Sequence, residues 1–407
     1  MKILFIAPFK DFTAKDGGYG KASLSYIDVL ESLKKDKVIT EIDYINTLDF
    51  SDITIDTTKQ YDFAFVITHP STFSNVKLLN KFKYILSKAK KKYLHILWET
   101  TPLPQAWKFL WNENSLFDGF FASSYFVTFQ LKTVTQKPVY YIPYLIDIPE
   151  KSIDIKRKVE IENKFTVLLM GQDTIRKGLD DGITAFNRAF SEIENVQLVI
   201  KYHNLNPDQF RTFEDKIITL SQSNSSCKKN NTYILNKEMS NEEVYELYRD
   251  SSVLLMPSRG EGFCLPIAEA MSVGLPCIYT DWSAMPEVGE SNYNKAIAYH
   301  LDESIGMYQY GYEIGSMYAY PSILSTMQAL YSMYEIWNKD KKLYYKRSAN
   351  NIDIIKNKFN VDIIKTCFKN LLNNSDKIAP SNILNINYLK KNQIQHDEIV
   401  KRYKERN

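Results

Sequence analysis

Residues 258–281 read "SRGEGFCLPIAEAMSVGLPCIYTD". Short apolar runs flank the stretch, Val253–Met256 before it and Cys277–Thr280 at its end, and each has the length of a buried strand. Between them the chain turns from Pro257 to Cys264, and Leu265-Pro266 opens a helix. Proline fits a first helical turn because the N–H it lacks would have no partner there. Glu261 sits on the turn and Glu269 one turn into the helix, eight residues apart. The amides of Gly262, Phe263 and Cys264 stand just ahead of the helix, where the macrodipole favours an anion. Gly262 lets a ligand approach the backbone closely. A diphosphate between two hydroxylated ends, as in a nucleotide sugar, satisfies the amides and both carboxylates together. The plainer alternative is two solvated glutamates near a helix start.

Working outward, apolar runs alternate with helical periodicity along the chain, the pattern of parallel sheets built from βαβ units. In the first half the expected strands are 3–7, 38–45, 63–68, 93–97, 119–122 and 139–142. In the second half they are 166–170, 197–202, 233–235, 253–256 and 277–280. "SNEE" at Ser240–Glu243 is a capping box ahead of a helix. Ile323, Met327, Leu330 and Tyr334 repeat at helical spacing. Between the two sets "PEKSIDIKRKVEIEN", 149–163, is charged and has no steady period. The domains expected are therefore 1–150 and 164–372, joined by a linker at 151–163 and followed by a basic helical tail at 373–407.

The bulk numbers agree with two domains. At 407 residues the chain divides into halves of about 200. It is 44% hydrophobic and 24% charged, with a mean hydropathy of −0.33, the composition of a globular protein. A formal charge of +3 gives no case for nucleic acid. Four scattered cysteines (Cys227, Cys264, Cys277, Cys367) show neither metal spacing nor a disulfide framework, which favours a reducing compartment. The apolar run Ile3–Phe9 is too short to span a membrane, so the cytoplasm is the expected address.

"SRGEGFCLPIAEAMSVGLPCIYTDWSAMPEV" closely resembles the Glu-x7-Glu signature of family-4-type retaining glycosyltransferases. The resemblance implies the GT-B fold, two Rossmann-like doubly wound α/β domains facing each other across a cleft. It implies an acceptor-side domain at 1–150 and a nucleotide-sugar-binding domain at 164–372. Glu261 would contact the donor sugar, Glu269 the ribose, and the backbone of Gly262, Phe263, Cys264 and Leu265 the sugar and phosphates. The chain departs from the pattern at Cys264, where glycine is usual and a side chain would crowd the sugar pocket, and at Cys277, where valine is usual.

Further pieces follow from the same resemblance. "VLLMGQDTIRKGLDDGITAF" carries Arg176-Lys177-Gly178 before a helix, matching the family's diphosphate-binding pair. A guanidinium and an ammonium stabilise a leaving diphosphate without metal; a solvated basic pair is the plainer reading. Some relatives place the lysine later, and here the next is Lys201. "AKDGGYGKASL" supplies Gly17 and Gly18 for a glycine-rich loop over the donor phosphates, or a flexible surface loop. By the resemblance, Glu99 in "YLHILWETTP" stands where many of the family have a histidine near a strand end, with His69 as a weaker candidate and His95 read as a core residue. "YIPYLID", 141–147, resembles the segment entering the linker.

No Asp-x-Asp pair occurs, in keeping with a metal-independent enzyme that needs no cofactor. "KFKYILSKAKKKY" packs Lys81, Lys83, Lys88, Lys90, Lys91 and Lys92 closely together. It reads either as a basic amphipathic helix resting on an anionic membrane or as a solvated lysine-rich face. The expected partners are a nucleoside-diphosphate sugar and a glycan, lipid-linked or protein-linked acceptor. The competing readings are a nucleotide-sugar epimerase and a non-catalytic binding subunit on the same fold.

Overall fold

The structure is a computed structural model that describes residues 1–9, 17–48, 58–202, 206–222, 231–304 and 316–374. It divides into two units, the first made of 1–145, 307–316 and 358–407 and the second of 146–306 and 317–357.

In the first unit the chain runs β1 (Lys2–Ala7), α1 (Gly17–Lys35), β2 (Glu41–Asn46), β3 (Tyr61–Ile67), α2 (Val76–Leu86), β4 (Ala89–His95), α3 (Lys108–Trp111), β5 (Gly119–Ala122), α4 (Tyr125–Val134) and β6 (Val139–Tyr141). The strands form one sheet in the order β2-β1-β3-β4-β5-β6. Every pairing in it is parallel. The strand order reverses between β1 and β3, the place where open α/β sheets leave a crevice at the carboxyl ends of their strands.

In the second unit come α5 (Ile155–Ile161), β7 (Phe165–Met170), α6 (Leu179–Ala189), β8 (Val196–Tyr202), α7 (Pro207–Gln222), β9 (Thr232–Asn236) and α8 (Asn241–Asp250). They are followed by β10 (Val253–Met256), α9 (Leu265–Ser272), β11 (Cys277–Thr280), α10 (Met285–Gly289) and β12 (Lys295–Ile297). A hairpin of β13 (Tyr299–Glu303) and β14 (Met317–Pro321) precedes α11 (Ile323–Lys339), α12 (Lys341–Ser348) and α13 (Asn350–Lys358). The main sheet runs β12-β11-β10-β7-β8-β9, all parallel, and its order reverses between β7 and β10. β7 and β10 are buried along nearly their whole length, which is why they read as unbroken apolar runs. The capping box at Ser240 and Glu243 starts α8.

The last helix described, α14 (Val361–Leu372), belongs to the first unit and not to the 164–372 domain expected from the sequence. Its Phe368 packs edge-on against Tyr26 of α1 and Phe65 of β3, with ring centroids 5.6 Å apart in each case. The amphipathic spacing of α14 marks an apolar face but does not say which core receives it. The basic tail from 375 onward, and Cys227, lie outside the described residues.

The charged stretch 151–163 is likewise not a free linker. It holds α5, with Asp154 capping its start by accepting from the amide of Arg157. Lys158 is buried; its ammonium lies 3.2 Å from Glu162 and donates to the carbonyl of Ser251 at 2.8 Å. Glu162 also accepts from Ser252 at 2.7 Å, from the indole of Trp337 at 3.0 Å and from the Tyr345 hydroxyl. A buried, fully hydrogen-bonded ion pair thus pins α5 to α11 and α12.

The Lys81–Lys92 segment is not one basic helix. α2 ends at Leu86, and Lys90, Lys91 and Lys92 open β4. Their solvent-side heads are what let lysines start a central strand: Lys90 reaches Asp62 at 2.9 Å and Lys92 reaches Asp118 at 3.6 Å. Among the described residues no helix is long and apolar enough to cross a membrane.

Removing one member of a buried pair strands the other, at a cost of about 3 kcal/mol or more. Glu162→Ala is therefore expected to lower the unfolding free energy by about that amount in urea titrations. A loss below about 1 kcal/mol would contradict the pinned-helix account.

Candidate functional site

The loops after β7 and β10 flank the strand reversal of the second unit, and they carry the charged residues that the sequence singled out. After β7 the chain leaves Met170, passes Gly171 and makes a short 3-10 turn, Ile175–Lys177. After β10 it turns through Pro257 and Ser258 to Glu261. Arg176 and Lys177 converge there on one carboxylate oxygen: Lys177 Nζ lies 2.7 Å and Arg176 Nη1 3.1 Å from Glu261 Oε1. Arg176 also donates to the carbonyl of Gly260 at 3.0 Å. Glu261 is 6% exposed. Burial alone would raise its carboxyl, but Lys177 and then Arg176 outweigh burial and bring it down to about 2. The Glu261 carboxylate is therefore charged throughout the ordinary pH range.

The backbone fixes this cluster. The amide of Glu261 donates to Ser283 Oγ at 2.9 Å, and its carbonyl accepts from Ala284 at 3.2 Å. Gly178, just after Lys177, is left-handed (φ 58°), and a Cβ there would stand 2.3 Å from the carbonyl oxygen of Pro257. Only glycine lets the two loops approach so closely. Cys264 is also left-handed (φ 74°) and buried. Glycine adopts that conformation without strain, whereas a cysteine there is strained. Its thiol is pushed up by burial and, next, by the Glu261 charge, so it is held protonated.

Glu269 lies on α9, is buried, and accepts from the hydroxyl of Tyr248 on α8 at 2.9 Å. Phe263 is buried, Gly262 is buried, and Leu265 is half-buried. Arg176, Lys177, Gly262, Phe263, Cys264, Leu265, Glu261 and Glu269 thus all belong to the second unit. Lys201 is not part of the cluster; its ammonium donates to the carbonyl of Lys237 at 2.8 Å, on the loop after β9.

The remaining candidates lie in the first unit. Gly17 and Gly18 stand in the opening turn of α1 and not on a loop, while the stretch ahead of them, 10–16, lies outside the described residues. Glu99 is half-buried beyond β4. His69 follows β3, its Nδ1 2.6 Å from Ser71 Oγ and its ring edge-on to Trp107. Burial lowers the His69 imidazole, with the Glu99 charge opposing. His95 is fully buried among Tyr26, Phe121 and Tyr144, and burial pushes it down to about 3.

Sequence reasoning passed over Arg259, Asp181 and Tyr248. Arg259 lies inside the quoted motif, and the acidic pair Asp180-Asp181 in the first turn of α6 was the signal for its partners.

Two outcomes follow from this geometry. Gly178→Ala is expected to destabilise the chain by about 2 kcal/mol or more, read from urea midpoints. Because the folded carboxyl of Glu261 is depressed, its contribution is full above the reference value of 4.5 and fades as pH falls toward 2. The stability gap between wild type and Glu261→Gln should accordingly be flat above 4.5 and narrow below it; a gap that widens on acidification would contradict the ion cluster.

Residues 151–302 match the family described as Glycosyl transferases group 1. Putative glycosyltransferase ORF330 of Acidianus filamentous virus 2 (isolate Italy/Pozzuoli) is 26% identical over 246 residues, 60% of this chain, and the match spans 64% of that relative's length. A glycosyltransferase from Rickettsia africae ESF-5 superposes with a TM-score of 0.59 at 12% identity, covering 92% of this chain and 98% of its own. The pneumococcal O-GlcNAc transferase GtfA, solved with UDP and GlcNAc, gives 0.53 at 14% identity, covering 88% of this chain and 61% of its own. The fold is the GT-B pair of Rossmann-like domains, and residues 151–302 carry the group 1 glycosyl transferase pattern.

Proposed function

We propose that the chain transfers a hexose-like sugar from a nucleoside-diphosphate sugar to a hydroxyl of a glycan, lipid-linked or protein-linked acceptor, with retained anomeric configuration. The observation that carries this reading is the cluster beside the strand reversal, with Arg176 and Lys177 both within 3.1 Å of buried Glu261 and next to the amino end of α9. A pneumococcal protein of the same fold holding UDP and GlcNAc supports the ligand class.

In the transfer, the bond from the sugar's anomeric carbon to the β-phosphate oxygen breaks. A bond from the acceptor oxygen forms on the same face, and the acceptor's proton passes to the departing diphosphate. Charge develops on that diphosphate, where the Arg176 guanidinium and the Lys177 ammonium, already held by Glu261, need no reorganisation to meet it. Both ion pairs end on Oε1, and we assign Oε2 of Glu261 to a donor-sugar hydroxyl. Glu269 is assigned to the ribose, and the backbone of Gly262, Phe263, Cys264 and Leu265, at the amino end of α9, to the sugar and phosphates. The cation pair supplies the countercharge, so no divalent metal is required.

The test is a titration of UDP, GDP, ADP and TDP and their common sugars, followed by thermal stability and by transfer to candidate acceptors. One nucleotide family should stabilise the chain. Glu269→Ala should weaken that binding by about tenfold to hundredfold, the worth of a charge-assisted hydrogen bond. Lys177→Ala should lower kcat by about a hundredfold, and EDTA should leave the rate unchanged. No stabilisation by any of them at millimolar concentration would overturn the reading.

A nucleotide-sugar epimerase is the second reading, favoured by His69 and Glu99 lying within electrostatic reach of each other. It predicts a changed sugar with no acceptor present.

A further inference from the structure

Arg259 has a far more elaborate setting than a loop residue needs. It is 6% exposed. Its guanidinium donates to Asp181 Oδ2 from Nε at 3.1 Å and from Nη2 at 2.6 Å, and Nη2 lies 3.4 Å from Asp180. The same guanidinium lies over the ring of Tyr320, 4.5 Å from its centroid. Its amide donates to the carbonyl of Arg176 at 2.7 Å, and its carbonyl accepts from Ala319 at 2.9 Å. One residue therefore ties together the Arg176-Lys177 turn, the first turn of α6 and strand β14. Asp181 and Arg176 stand on either side of Gly178, so Arg259 grips the turn from both ends.

We propose that Arg259 is the positioning residue of the Arg176–Lys177 pair: through Asp181 and Tyr320 it holds that turn against Glu261, and so sets the contact with the β-phosphate of a nucleoside diphosphate. The inference rests on the donor site proposed above. Arg259 reaches the ligand through the turn and is itself occupied by Asp181 and the ring. An arginine is needed because the contact is a planar fork on one carboxylate with a flat face on an aromatic ring, which an ammonium does not supply. Its effect should therefore fall on the β-phosphate and leave the nucleoside and α-phosphate contacts alone.

The test compares the dissociation constants of a nucleoside diphosphate and the matching monophosphate by calorimetry. In wild type the diphosphate should bind more tightly. Arg259→Ala should shrink that diphosphate-to-monophosphate ratio by about tenfold, the worth of a charge-assisted contact, with little change for the monophosphate. Arg259→Lys should recover only part of it. Tyr320→Ala should move the ratio the same way by less, and Tyr320→Phe, which keeps the ring, should restore most of it. If Arg259→Ala folds poorly, Asp181→Asn makes the same comparison by removing the carboxylate charge from the fork. A melting temperature that falls while the ratio stays at its wild-type value would overturn the positioning role and leave Arg259 a structural residue. A wild type with no preference for the diphosphate would instead overturn the donor site, and the positioning role with it.

Discussion

The second unit is organised around one buried carboxylate. Taking Glu261 out of water costs several kcal/mol unless partners meet it at close range. Those partners come from a distant loop: Lys177 lies 84 positions earlier in the chain, with Arg176 next to it. Joining the two loops requires β7 and β10 to be neighbours in register, which their pairing of Val167 with Val253 through Leu169 with Leu255 provides. It requires Gly178, because no side chain fits against Pro257. It also requires the Ser283 turn after β11, which holds the amide and carbonyl of Glu261. The sheet order, a left-handed glycine and a serine turn therefore serve the same contact. Charge that is fixed and dry before a ligand arrives is the condition under which electrostatic stabilisation is largest.

Much of the framework was legible because parallel strands buried on both faces are written as unbroken apolar runs. β5, β10 and β11 fall at the bounds read from the sequence, and most of the others within a few residues. The failures share a physical reason: they depend on where a segment docks. Lys90 to Lys92 look like part of a basic helix, yet each strand-end lysine extends its head to solvent or an aspartate while its backbone joins the sheet. The charged stretch around α5 looks like a linker because the side chains that hydrogen-bond to its Glu162, Ser252, Trp337 and Tyr345, are far away in sequence. The antiparallel β13–β14 pair went unread: β13 alternates between half-buried and exposed positions with little apolar signal, and β14 is a five-residue stretch, buried or half-buried throughout, that runs up to the start of α11.

The site was legible as a list but not as a geometry. Glu261, Arg176 and Lys177 were each named from short motifs, with roles toward a ligand. That the carboxylate first serves its own two cations is a tertiary fact, set by loops that meet across the sheet. Cys264 shows the converse. The sequence marked it as a departure from a glycine position, and the left-handed backbone gives the reason that glycine suits it. The strain so introduced, about 1–3 kcal/mol in such cases, lies one residue ahead of α9, where it bears on the loop rather than on the sheet. In the first unit the glycines opening α1 and the residues after β3 flank the other strand reversal, the position at which sheets of this kind receive ligands.

The most direct measurement is a crystal structure of the chain with the nucleoside diphosphate that stabilises it most. The account predicts that the β-phosphate lies within hydrogen-bonding distance of Arg176 and Lys177, with the ribose hydroxyls on Glu269. A diphosphate bound elsewhere, with the Arg176–Lys177–Glu261 cluster closed on itself as before, would contradict it.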